Sequence, residues 1–210
     1  SERIPVFTAR DIDNEIKSQF DQLYAKYSNI GILLSGGMDS AILASYLKEG
    51  SHAYTFTASG TSVFDDDVNR ASFYCKKFKL HHHLVEVSFD DFQKVTPIVM
   101  KTKCAPVHSI EPQIYKAALM AKADGVQMIV VGESADLIFG GMDQLIAKDW
   151  LLDDFAKRYT FLEPSLVLEN PVDVSELYER FRQGEHIDFL SFMDNVFSIE
   201  SSGSYMNAFG

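Results

Sequence analysis

The stretch Ser35-Gly36-Gly37-Met38-Asp39-Ser40 carries the residue types needed to hold a chain of phosphates. Gly36 and Gly37 allow positive φ and a close approach of backbone to an anion. Ser35 and Ser40 add hydroxyl donors. The loop follows the short apolar run Ile30–Leu34, which suits a buried strand, and precedes Ala41–Leu47, which reads as a helix. A strand, a glycine loop and a helix leave the N–H groups of the first helical turn aimed at a ligand, with the helix dipole favouring negative charge. Asp39 would repel that ligand unless it bridges to a divalent cation such as Mg2+. No lysine follows, so this is not the G-x-x-x-x-G-K-S/T loop. No G-x-G-x-x-G occurs either, which weakens a dinucleotide fold. The bland alternative is a glycine turn closed by a satisfied N-cap.

A second glycine-bounded stretch, Gly132-Glu133-Ser134-Ala135-Asp136-Leu137-Ile138-Phe139-Gly140-Gly141, follows the apolar run Met128–Val131. A helix N-cap would account for Asp136, but not for Gly132, Glu133, Gly140 and Gly141 in the same register. In open parallel sheets ligands sit beyond the carboxyl ends of strands. Both stretches occupy such ends, so Asp39 and Asp136 are expected to face each other across a ligand and share Mg2+ with its phosphates.

The elements that must position these loops follow from periodicity. Residues 11–27 place Ile12, Ile16, Phe20, Leu23, Tyr24 and Tyr27 at helical spacing. Ala53–Thr57 and Leu84–Val87 are strand candidates. Asp65–Lys79, with acids at its start, and Ile114–Ala123 are helix candidates. Apolar strands that alternate with helices predict an α/β fold, a doubly wound parallel sheet covered on both faces. From about Asp143 the pattern changes to helical segments at 144–158, 173–182 and 186–197, with no strand. The expected division is an α/β domain over 1–143 and a helical C-terminal region over 144–210. The small polar residues of 201–210 read as a loop rather than a natural stop.

The formal charge of −11 comes from 19 basic and 30 acidic side chains, and it disfavours a tRNA or DNA partner. A phosphate ligand on such a chain needs local compensation from amides, helix dipoles and Mg2+. Cys75 and Cys104 form no metal-like spacing and read as reduced thiols. No secretory leader is apparent and no apolar run approaches a membrane span, so a cytoplasmic setting is expected. His81-His82-His83 places His81 and His83 on one face if extended, but no carboxylate or thiol stands at ligand spacing. This run is expected at a helix-to-strand junction. Cys104 and His108 lie near Pro106 and Pro112, which indicate a loop. Glu111 and Gln113 are candidates to reach a substrate pocket. The aromatic stretch Phe181–Phe197 reads as core or as a partner interface, the latter leaving room for a homodimer.

SGGMDS resembles the SGG-x-DS pyrophosphate loop of the N-type ATP pyrophosphatases. Gly132–Gly141 resembles the G-E-G-A-D-E-L-F-G-G segment of the asparagine synthetase synthetase domain and its β-lactam-forming relatives. Order and spacing agree over about residues 11–145. The resemblance implies an adenine nucleotide alpha hydrolase-like fold that binds ATP and Mg2+. It implies Leu34, Thr57 and Gly132 near adenine and ribose, with Ser35, Gly36, Gly37, Asp39 and Ser40 on the phosphates. Asp39, Asp136 and Glu133 are the implied catalytic residues, and Asp39 and Asp136 the metal ligands. The implied chemistry is attack of a carboxylate oxygen on the α-phosphate, departure of pyrophosphate, and capture of the acyl-adenylate by an amine or ammonia.

Three features depart from the family. Leu137 replaces the acidic residue after the motif aspartate, and Ser134 replaces the middle glycine. No glutaminase segment precedes the loop, so ammonia is expected from a separate amidotransferase partner, or another amine is used. The last lysine is Lys157, before the final helices. Two function classes remain: an AMP-forming ligase acting on a carboxylate, and a nucleotide-binding module without turnover. A tRNA-modifying enzyme with the same loop is a third reading, opposed by the acidic charge and the unpaired cysteines.

Overall fold

The structure is a computed structural model that describes residues 8–58, 65–103, 107–108, 110–133, 135, 148–160, 163–171, 173 and 175–195. The chain divides into two compact units, Ser1–Ala135 and Asp136–Gly210.

The first unit alternates helix and strand. Its elements are α1 (Ala9–Lys26), β1 (Ile30–Leu33), α2 (Met38–Ala44), β2 (His52–Ala58), α3 (Asp65–Phe78), β3 (His81–Val87), α4 (Phe89–Lys103), α5 (Glu111–Ala123) and β4 (Met128–Val130). The strands form one sheet in the order β3-β2-β1-β4. Every pairing in it is parallel. This is the α/β parallel sheet that the alternation predicts.

Side chains alternate across the sheet and build a core on each face. On one face Ile30, Ile32, Leu34 and Ala53 pack with Phe20, Ala44, Ala71 and Cys75. On the other, Tyr54, Val85 and Val87 pack with Ala117 and Ala121 of α5. Burial pushes the Cys75 thiol up to about 11, consistent with an inert core residue. Cys104 lies outside the described residues.

α1 begins at a capping box between Thr8 and Asp11. α4 was not anticipated, since Pro97 sits in its interior and removes one backbone donor. Tertiary contacts hold α4 in place: Lys116 of α5 reaches both Asp91 and the Glu86 carbonyl. That ammonium, with the Ser88 backbone and hydroxyl donors, holds Asp91 well below the usual carboxylate range. Three histidines expected at a junction are instead the opening residues of β3. The junction is at Lys79, whose φ of 57° turns the chain out of α3.

Among its described residues, the second unit is less helical than the sequence predicts. The described elements are α6 (Leu152–Thr160), a 3-10 turn (Pro164–Leu166), α7 (Ser175–Glu179), a hairpin of β5 (Arg182–Gln183) and β6 (His186–Ile187), and a helix over 189–195. The hairpin contradicts the expected absence of strands. Gln183 pairs with His186 around the two-residue turn Gly184-Glu185, a glycine-first turn that matches strand twist. Phe155 is the hub of the unit's core, with Leu152, Tyr178, Ile187, Phe192 and Met193 around it. Part of the aromatic stretch is therefore core.

A buried bond ties the strand ends together beneath the glycine loop. The Thr55 hydroxyl donates to the Leu34 carbonyl at 2.8 Å. It can then only accept from His82 Nε2, 2.9 Å away, which fixes the His82 tautomer. Replacing Thr55 with Val strips both partners of this bond. The Thr55→Val variant is expected to lose about 1–3 kcal/mol of stability, read as a lower urea midpoint with an unchanged m-value.

Candidate functional site

β1 and β4 are neighbours, yet the chain leaves them in opposite directions through the fold: β1 leads towards β2 and β3, while β4 is reached from β3 across the sheet. Such a reversal of strand order opens a crevice at the carboxyl ends of the two strands. The loop 35–40 leaves β1 there, and residues 131–133 leave β4 there.

The loop is internally braced. Ser35 and Ser40 share a hydroxyl contact of 3.0 Å, and the Ser35 N–H points to Ser40 Oγ at 3.3 Å. Gly37 N–H reaches Ser35 Oγ at 3.3 Å. Ser40 Oγ lies 3.2 Å from the Gly37 carbonyl. The two serines thus use their hydroxyls to shape the turn. Gly37 is the N-cap of α2, and no side chain caps that helix. Its first-turn amides keep the donor capacity an anion would use.

Gly36 has φ of +79°, and a methyl group on it would lie 2.5 Å from the Asp67 carbonyl oxygen. The loop is therefore seated directly on the first turns of α3. Asp67 pairs with Arg70 at this contact, so an ion pair borders the loop. Arg70 was not singled out from sequence. Its signal is weak, one arginine in an acidic helix, and only the glycine contact brings it to the loop.

Gly132 meets the loop from β4. A methyl group there would lie 3.1 Å from the Ser40 amide nitrogen and 3.4 Å from the Asp39 carbonyl carbon. The structure thus brings Gly132, the first residue of the second motif, onto the loop 35–40. Asp39 is exposed on the first turn of α2, and among the described residues its carboxylate makes no hydrogen bond or ion pair. An exposed carboxylate oxygen is a donor type that Mg2+ accepts, while the free amides are suited to an anion. Asp136 and Leu137 lie outside the described residues, as do Ser134, Gly140 and Gly141.

The other expected residues fall as follows. The Leu34 side chain is in the core; its N–H donates to the Tyr54 carbonyl and its own carbonyl accepts from Thr55. Thr57 lies near the carboxyl end of β2, paired with Glu86. Glu133 is exposed just beyond Gly132. Glu111 is fully buried rather than open to solvent. Its Oε1 accepts from Lys103 Nζ and from the His108 N–H, both at 2.8 Å. It therefore clamps α4 to the start of α5.

The sequence profile of the asparagine synthase family matches residues 20–195. The chain belongs to the asparagine synthase family. Membership places it among ATP-utilising proteins. No curated protein matches the chain. Among solved structures, it is similar to the glutamine-dependent NAD+ synthetase of Acinetobacter baumannii, with 18% identity and a TM-score of 0.43. That likeness covers 67% of this chain and 29% of the synthetase. The NH3-dependent NAD synthetase of Campylobacter jejuni is 15% identical over 64% of this chain and 61% of its own, with a TM-score of 0.43. NMN synthetase of Francisella tularensis is 13% identical over 97% and 92%, again with a TM-score of 0.43. The chain thus spans less than two thirds of the length of the first two synthetases.

The two loop glycines should respond differently to substitution. Gly37 has φ of −75°, and a methyl group on it would only touch Ser35 Oγ at 3.3 Å. Gly36→Ala is expected to cost at least about 2 kcal/mol, from left-handed strain and the clash with Asp67. Gly37→Ala should cost well under half of that. Thermal denaturation of the two variants side by side checks this.

Proposed function

We propose that the chain binds Mg-ATP at the 35–40 loop and splits it into AMP and pyrophosphate, activating a carboxylate as its adenylate for capture by an amine or ammonia. The observation that carries this reading is the packing of Gly132 against the Ser40 amide. It sets the first residue of the second motif against the first motif at the strand-order reversal, which supports reading them as one site. Neither motif alone distinguishes a phosphate site from a tight turn.

The residues have separate tasks. Gly36 and Gly37 keep the backbone low enough for phosphate oxygens to approach, and the amides at the start of α2 donate to the leaving pyrophosphate. Ser35 and Ser40 hold the loop in that shape. Asp39, with Asp136 as its expected partner, would hold Mg2+. The ion supplies neutralisation of charge on the triphosphate. Thr57 and the backbone near Leu34 and Gly132 border the space for adenine and ribose. Glu133, exposed just beyond Gly132, would act at the reacting end. Rate enhancement would come from alignment of the carboxylate with the α-phosphate and from oriented dipoles.

The catalytic domain is the α/β region over 1–143, with 144–210 as its extension. The amine is ammonia from a separate amidotransferase, or a second small molecule. Leu137 in place of the family's acidic residue directs the substrate away from aspartate. A nucleic-acid substrate is disfavoured by the charge of −11.

The test is pyrophosphate release from Mg-ATP, with a panel of carboxylates and with ammonia or amines. Wild type should bind Mg-ATP and release pyrophosphate with at least one carboxylate. Asp39→Asn should reduce release roughly tenfold to a hundredfold, as expected for loss of a charged contact. Tight Mg-ATP binding with no release across the panel would instead support a nucleotide-binding module. A wild-type protein that does not bind Mg-ATP would sink both readings.

A further inference from the structure

The face of the sheet covered by α5 carries a second cluster of ligand-type side chains. It lies at the amino ends of β2 and β3, the opposite end of the sheet from the glycine loop. Parallel register pairs His52 with His81 and Tyr54 with His83. Alternation puts these four side chains on one face. α5 runs back along that face and ends at Asp124, its C-cap residue. The result is a meeting of two imidazoles and a carboxylate that are distant in sequence.

One ligand atom from each of His52, His83 and Asp124 lies within 4.8 Å of the other two. His52 Nδ1 is 2.9 Å from His83 Nε2. His52 Nδ1 is 3.9 Å, and His83 Nδ1 3.7 Å, from Asp124 Oδ2. Donors on a tetrahedral zinc ion, with bonds of about 2.0–2.2 Å, are separated by about 3.3–3.5 Å. His83 turns Nε2 to His52 and Nδ1 to Asp124, and a metal takes only one of the two, so a turn of the His83 ring is needed to bring one donor atom from each residue, already within 4.8 Å of one another, to that spacing. The three groups are each about a quarter exposed, which leaves an entry path. Tyr54 donates its hydroxyl to Asp124 Oδ2 at 2.9 Å. Such an outer partner fixes the orientation of a ligating carboxylate.

We propose that His52, His83 and Asp124 form a binding site for a first-row divalent transition metal, zinc above all. Two imidazoles and one carboxylate suit zinc better than Mg2+ or Ca2+, which favour oxygen ligands. The fourth position is open to water. The ion would tie the starts of β2 and β3 to the end of α5, so its role is to stabilise the fold away from the nucleotide. This site is independent of the reading of the glycine loop.

The experiment is titration of the full, untagged chain with Zn2+ and Co2+ in the absence of nucleotide. Wild type is expected to bind one equivalent, to show the intense visible bands of tetrahedral Co2+, and to melt at higher temperature with Zn2+. His83→Gln and Asp124→Asn should each weaken binding by more than the tenfold to hundredfold typical of an outer-partner loss. Asp124→Asn keeps a carbonyl for Tyr54, so it is the variant expected to stay folded. Asp39→Asn and His186→Gln should bind as wild type does. The proposal fails if Co2+ gives no tetrahedral spectrum, or if Asp124→Asn, folded by circular dichroism, binds with unchanged affinity. It fails also if His186→Gln abolishes binding, because the metal would then belong to the His186–Asp149 pair of the other unit.

Discussion

The close approach of two backbones, Gly132 at the end of β4 and the Ser40 amide at the start of α2, sets the terms for the end of the sheet that carries the glycine loop. A side chain at residue 132 would push β4's exit away from the loop. Parallel pairing of β1 with β4 makes the approach possible, since both strands then deliver their following loops to the same edge. The family signature is thus a packing constraint as well as a chemical one.

The loop is held from three sides. Its own serines bridge it, Gly36 seats it on α3, and the Thr55–Leu34 bond anchors the strand end beneath it. None of these contacts is made by a charged side chain. Under the proposed function, donors of fixed direction would stand in for a lysine on a strongly acidic chain. Rigid amides also carry no reorganisation cost when charge moves onto a leaving group.

The two ends of the sheet have different chemistry for a geometric reason. The carboxyl ends of β1 and β4 open a crevice because the chain order reverses there. The amino ends of β2 and β3 are closed by the C-terminus of α5, which brings Asp124 onto a histidine-rich patch. In a parallel sheet every strand presents its start at this end, so residues at equal register, such as His52 and His81, become neighbours.

Much of the α/β unit was legible in the sequence. Continuous apolar runs between helices predict buried parallel strands, and β1, β2 and β4 fall within a residue or two of their expected bounds. β3 was read too short because three histidines look like a polar junction. Extended pairing with β2 absorbs them, since a half-open sheet face accepts imidazole. α4 was missed because local propensity is weak across Pro97, and the bonds that hold it, Lys116 to Asp91 and Glu86, are long-range. In the second unit, 173–182 and 186–197 read as helical with a break between them, and the hairpin takes Arg182 from the first segment and His186 and Ile187 from the second. A two-residue turn leaves so short a strand pair that periodicity has no room to register.

By itself the sequence determined the glycine loop, its place between strand and helix, the second motif and the family they share. Those features are local, because glycine freedom and hydroxyl donors act within a few residues. Only the tertiary structure decided that Gly132 lies on the Ser40 amide, that Glu111 is a buried clamp, and that His52, His83 and Asp124 converge. Each of those depends on which strands are neighbours and which face a helix covers, and register is settled by packing between segments that are distant along the chain.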